Sequence, residues 1–255
     1  MLFNDTTFIG IDPTAGKRPI TYAALDHELR LLALGDGDID TVTAFVGGQQ
    51  AAFVAINSPR RPNQGVMADP EVRDELSPKP RPGRWTGFRL AEYQLYQHNI
   101  RIPRTPSKVE NCQVWMRVGF NLYQRLQAMG FQDYWIEDAA NQLLEVYPHG
   151  AYSVLLERIP LPKRSLEGRL QRQLALHSRT LDVPDPMRIF EEITRFRLMQ
   201  GILPLEKLYT YHELEALVAA YTAWAAAKKP DEVTLLGDAE EGQIVLPAAA
   251  LKTKY

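Results

Sequence analysis

The chain has 255 residues, of which 45% are hydrophobic and 24% charged, enough for one large core or two small ones; we expect a single domain, residues 1–255, carrying an insertion. A formal net charge of −2 excludes a global field that gathers polyanions, so any nucleic-acid contact must come from local basic patches. One cysteine, Cys112, excludes an intrachain disulfide and a multi-cysteine zinc site.

The opening MLFNDTTFIGID has neither the cationic start nor the apolar stretch of a signal peptide. The longest nearly apolar run, Ala216 to Ala227, falls short of the ~20 residues a membrane helix needs. We therefore expect a cytoplasmic protein with no membrane partner.

Thr7 to Ile11 reads as a buried strand, Pro19 to Leu25 as a second and Glu28 to Leu34 as a third, joined at Asp26-His27 in a meander. Asp12 stands at the end of the first strand, followed by Pro13, Gly16 and the cations Lys17 and Arg18. Asp38 caps a helix over Ile39 to Val46, and Ala51 to Ile56 returns as an apolar strand. Asn57 to Cys112 holds eight of the 18 prolines and only one plausible helix, Leu90 to His98, so it reads as a long, partly ordered insertion. Val114 to Met129 has helical spacing and stops at Gly130, and Gln142 to Tyr147 reads as another strand. Helices then dominate to Lys229. A short hairpin, Glu232 to Leu236 with Gln243 to Leu246, closes the chain.

Three meander strands, a crossover helix, a fourth strand, a helix, a fifth strand and late helices follow the ribonuclease H order. The words IGID (9–12), FVAINSP (53–59), RLAEYQLYQHNIRIPRTP (89–106), EVYPHGAYSVL (145–155), KRSLEGRLQRQ (163–173), HELEALVAAYTA (212–223) and GDAEEGQIVLP (237–247) carry a more specific resemblance. In these words the chain resembles the predicted ribonuclease H-fold nucleases grouped as domain of unknown function 429. The resemblance implies an α/β fold, a mixed sheet flanked by helices, with the long insertion (about 57–112) after the fourth strand.

It also implies a site in which carboxylates from the first, fourth and fifth strands and a late helix hold Mg²⁺ or Mn²⁺ for phosphodiester hydrolysis. Asp12 takes the first-strand place, Asn57 the fourth, Glu145 the fifth, and Glu215, with His212 three residues before it, the late helix. Asp12, Glu145 and Glu215 are thus the expected metal ligands, with Asn57 and His212 beside them. Asn57 stands where the family usually has aspartate, which implies weak, one-metal binding. Each also has an ordinary reading: Asp12 and Asn57 as turn residues, Glu145 as a strand end, Glu213 as solvated, His149 as a turn or rim residue.

Cations interleave with aromatics in the insertion, including Arg60, Arg84, Trp85, Phe88, Arg89, Tyr93 and Tyr96, a composition suited to a single strand or nucleotide. We expect the insertion to cover the Asp12 end of the sheet and present Arg60, Arg84 or Arg89 to the cleft. Lys163, Arg164, Arg169 and Arg172 form a second basic cluster able to flank a phosphate. Three functions follow: a metal-dependent nuclease or phosphodiesterase; a non-catalytic nucleic-acid or nucleotide-binding protein on the same fold; and a phosphotransferase. The last is disfavoured, because it needs two copies of the fold and Gly-rich phosphate loops.

Overall fold

The computed structural model describes residues 6–14 and 18–255. The residues before Thr6, and Gly16 and Lys17 with the alanine before them, lie outside the described residues. The chain forms β1 (Thr6–Asp12), β2 (Ile20–Leu25), β3 (Leu31–Gly37), α1 (Ile39–Gly47) and β4 (Ala51–Ile56). It continues with α2 (Pro70–Glu75), α3 (Leu90–Gln97), α4 (Val114–Ala128), β5 (Gln132–Asp133), β6 (Asn141–Val146), α5 (Pro148–Leu156) and α6 (Leu166–His177). The last elements are α7 (Arg188–Glu192), α8 (Arg195–Met199), α9 (Tyr211–Lys228), β7 (Thr234–Asp238) and β8 (Gly242–Leu246).

The eight strands among the described residues make one mixed sheet in the order β3-β2-β1-β4-β6-β8-β7, with the short β5 also paired to β6. β2 lies antiparallel to β1, whereas β4 and β6 run parallel to it, an α/β arrangement consistent with the ribonuclease H-like order. Ile9, Ile11, Val54, Ile56 and Leu143 meet α1 and α4 on one face. Phe8, Phe53, Ala55, Leu144 and Val146 meet α5, α6 and α9 on the other. No helix among the described residues is long and apolar enough to cross a membrane.

The Asp38 carboxylate accepts the Thr41 N–H at 2.8 Å and starts α1 where the sequence places it. β4 occupies the expected span, and α4 ends before Gly130, whose φ of 94° only glycine adopts freely. The third strand begins later than Glu28. The Asp26 carboxylate accepts the N–H groups of Glu28 and Arg30 and Leu29 turns at φ 63°, so the connection extends through Arg30. β5 has no counterpart among the expected elements, and the C-terminal hairpin joins the main sheet through the β6–β8 pairing.

α9 crosses β1 at backbone contact distance because Gly10 faces it. A Cβ at Gly10 would stand 2.0 Å from the Ala216 carbonyl oxygen and 2.3 Å from the Ala220 nitrogen. Those are main-chain atoms of a helix packed through small residues, Ala216, Ala219, Ala220 and Ala223, and they cannot swing aside. Gly10→Ala is therefore expected to lower unfolding stability in urea by about 1–3 kcal/mol or more. An unchanged midpoint would show that α9 can lift without loss.

Candidate functional site

β1 and β4 end side by side, with Ile11 opposite Ile56, so Asp12 and Asn57 emerge together toward α9. Asn57 Nδ2 donates to Asp12 Oδ1 at 2.7 Å. α9 is started by a capping box: Thr210 Oγ1 accepts the Glu213 N–H at 3.3 Å, and Glu213 Oε2 accepts the Thr210 N–H at 2.6 Å. Glu213 is thereby held at the cap. The neighbouring face of α9 delivers His212 Nδ1 to within 2.6 Å of Asp12 Oδ2, with Glu215 one turn further along.

Among the described residues, Asp12, His212 and Glu215 each bring one donor atom within 4.8 Å of the other two, and this cluster could hold a metal ion. Two carboxylate oxygens and an imidazole nitrogen form a mixed donor set that suits a divalent cation. Asp12 and Glu215 are buried, and Lys163 Nζ donates to Glu215 Oε1 at 2.6 Å. Burial, and next the charge of Asp12, push the Glu215 carboxyl up to about 7, against the opposing pull of Lys163 and His212. Arg18 lies 3.4 Å from the other ring nitrogen of His212.

Glu145 is not brought to this cluster. It lies opposite Ile56 on the β4–β6 ladder and alternates with Leu144 and Val146, which puts it on the face of Leu143 and Ile56, away from α9. A one-residue step along a strand changes faces, and the residue of β6 that shares the face of Asn57 is the apolar Val146. Glu145 is instead bound by Arg89 at 2.6 and 2.8 Å, and by the Arg60 N–H at 3.0 Å.

The expected cleft cations are redistributed in the same way. Arg89 is 1% exposed and committed to Glu145. The Arg60 guanidinium pairs with Asp133 and donates to the Ala239 and Glu240 carbonyls at 2.7 and 3.0 Å. Arg84 is exposed, lies over Trp85 and is not among the residues lining the cavity at Asp12. Trp85, Phe88, Tyr93 and Tyr96 pack on one another with ring centroids 4.9–5.6 Å apart, so these aromatics build the inside of the segment between β4 and α4. In the second cluster, Arg172 is buried against the Leu161 and Gly168 carbonyls, and Arg169 donates to those of Leu208 and Tyr209. Lys163 remains at the site.

A cavity of about 390 Å³ opens on Asp12, Asn57, His212 and Glu215. Arg101 and Pro103, from the segment between β4 and α4, and Trp115, at the start of α4, complete its wall. The sequence reading passed over these three, although Arg101 lies within the RLAEYQLYQHNIRIPRTP word. Tyr147 and His149 also line the cavity. Burial and the charges of Arg172 and Lys163 hold the His149 imidazole down at about 4, so this rim histidine is neutral at pH 7.

A model of the family described as protein of unknown function (DUF429) matches residues 10–241 of the chain. No curated protein and no solved structure matches it.

Proposed function

The chain belongs to the DUF429 family, and from that premise we propose that its site carries out metal-dependent hydrolysis of phosphodiester bonds on a ribonuclease H-like framework. The observation that carries this reading is the convergence of Asp12 with His212 and Glu215, some 200 residues away on α9, into a set of cation donors, both carboxylates buried, that lines a cavity. A bound Mn²⁺ or Mg²⁺ would supply Lewis-acid polarisation of a phosphoryl oxygen and a water of lowered pKa.

Asn57 holds Asp12 through Oδ1 and leaves Oδ2 turned to the cluster. His212 then presents its nitrogen to the same point as Glu215, and Lys163 supplies a fixed positive charge against Glu215. Two carboxylates, one already offset by an ammonium, compensate one divalent ion and not two. The imidazole in the set favours Mn²⁺ over Mg²⁺. Lys163, beside the cluster, is placed to balance charge gathering on the phosphoryl oxygens.

Protons compete with a cation at Glu215. Because burial and the Asp12 charge push its carboxyl up to about 7, Mn²⁺ affinity is expected to fall as pH drops below 7, by at most about tenfold per unit, and to level off above it. Mn²⁺ titrations followed by electron paramagnetic resonance at pH 5.5–8.5 read this directly; a flat profile would mean that Glu215 is not a ligand.

The experiment that tests the function pairs that titration with hydrolysis of bis(4-nitrophenyl) phosphate by wild type and Asn57→Asp. A carboxylate at 57 adds a third negative charge without enlarging the side chain, and affinity follows ligand charge. The variant is expected to bind Mn²⁺ about tenfold more tightly and to hydrolyse faster. Without metal it should melt lower, since two carboxylates would then meet where an amide now donates at 2.7 Å. If wild type binds no Mn²⁺ and Asn57→Asp gains nothing, the proposal fails.

A further inference from the structure

The cavity at the cluster continues into a longer depression. Thr14, Tyr211 and His212 line both it and an adjoining groove of about 700 Å³, whose other lining residues include Arg18, Arg164 and Arg169. Counted together, the two hold five cations, Arg18, Arg101, Lys163, Arg164 and Arg169, against the carboxylates Asp12, Asp36 and Glu215. Asp36 accepts the Thr21 hydroxyl and keeps its charge, and Lys163 is paired with Glu215, so the cations exceed the carboxylates by two before any ion is bound. On a chain of net charge −2, this is a local positive track that ends at the cluster.

The shape of the track separates the polyanions it could take. About 390 Å³ lies at the lower end of small-ligand pockets and matches one nucleotide better than a base pair. Arg101, Pro103 and Trp115 wall the pocket on the side of the segment between β4 and α4. Asp12 is itself buried, so a phosphate must come down to it, which an unpaired nucleotide does more readily than one held in a duplex. Trp115 and Tyr147 provide aromatic surface in the pocket, and Tyr211 carries Lys163 and Arg164 over its ring at 5.0 and 5.3 Å. Cations tracking a backbone beside aromatic faces are the chemistry that binds single strands without reading base edges.

We propose that the substrate is a single-stranded nucleic acid, with one unpaired nucleotide in the pocket and the neighbouring phosphates along Arg18 and Arg164. The inference rests on the phosphodiesterase reading and supplies its substrate class. Its test is binding rather than turnover: fluorescence anisotropy of a labelled 12-nucleotide single strand with the wild-type protein in Ca²⁺, with the blunt duplex of the same sequence and a nucleoside monophosphate as competitors.

The single strand is expected to bind at least about tenfold more tightly than the duplex, with affinity falling as salt rises. Arg18→Ala/Arg164→Ala should weaken it by about tenfold and flatten the salt slope. Trp115→Ala should weaken it by about fivefold, with Trp115→Phe restoring most of the loss. Equal or tighter binding of the duplex overturns the proposal, and so does a monophosphate that competes as well as the 12-mer. Mn²⁺ binding measured separately keeps the two readings apart: single-strand preference without Mn²⁺ affinity sinks the hydrolase and leaves the track as a single-strand binding site, and the converse result does the opposite.

Discussion

Asp12→Asn is expected to remove Mn²⁺ binding, by at least about 100-fold in affinity, and to bring phosphodiester hydrolysis to background while the fold stays intact. The amide is isosteric, so the backbone at the end of β1 has no reason to move. What changes is charge: of the two carboxylates in the cluster only Glu215 would remain, and it is already paired with Lys163 at 2.6 Å. A single offset carboxylate and an imidazole cannot compensate a hard dication. The same substitution also takes a buried negative charge away from Glu215, whose carboxyl is held up partly by Asp12. Thermal stability of the metal-free protein is therefore expected to hold or rise, since losing one of two buried like charges relieves repulsion. Mn²⁺ titration and a melting curve without metal read both halves. Affinity within threefold of wild type would mean that Asp12 is only a turn residue with a histidine partner.

Local rules made much of this arrangement legible. The Asp38 cap, the span of β4, the Gly130 stop and the spacing of His212 and Glu215 follow from residues within one turn or one strand. Glu145 shows where such rules stop. Its sequence neighbours mark a strand correctly, but the face a strand residue takes depends on the register against β4, and a one-residue offset exchanges Glu145 for Val146. Arg60 and Arg89 misled for a related reason. Composition marks a basic segment without showing which cations are neutralised by acids distant in sequence, and their partners, Asp133 and Glu145, lie 73 and 56 residues away. Trp115 lay outside the basic and aromatic run that drew attention to the segment before it. It reaches the cavity only because the chain, after that long excursion, enters α4 next to Asp12.

Arg89→Met is expected to cost about 3–5 kcal/mol in urea unfolding. Arg89 is 1% exposed and gives both terminal nitrogens to Glu145, with a further bond at 3.0 Å to the Gly242 carbonyl. Its Nε has no hydrogen-bond partner among the described residues, so Glu145 and the carbonyl account for its strong contacts. Two more buried carboxylates surround it. Glu92 accepts the Arg89 and Thr105 N–H groups, and Glu241 accepts those of Gln64 and Leu90. Burial already lifts Glu92 to about 7 with Arg89 opposing it, and without that cation Glu92 would be forced further toward protonation. The loss should therefore be smaller at pH 5.5 than at pH 8, because the variant binds protons that wild type does not. Arg89→Met/Glu145→Leu should recover most of the stability, since removing both partners leaves no orphaned charge at that pair. The network ties the start of α3 to β6 and β8, and the chain leaving α3 leads to Arg101 and Pro103 at the cavity wall. Loosening it in the single variant should speed proteolysis of residues 57–112 and weaken single-strand binding while Mn²⁺ affinity holds. A single variant that loses less than about 1 kcal/mol, or a double variant no better than the single, would show that this ion pair does not anchor the segment.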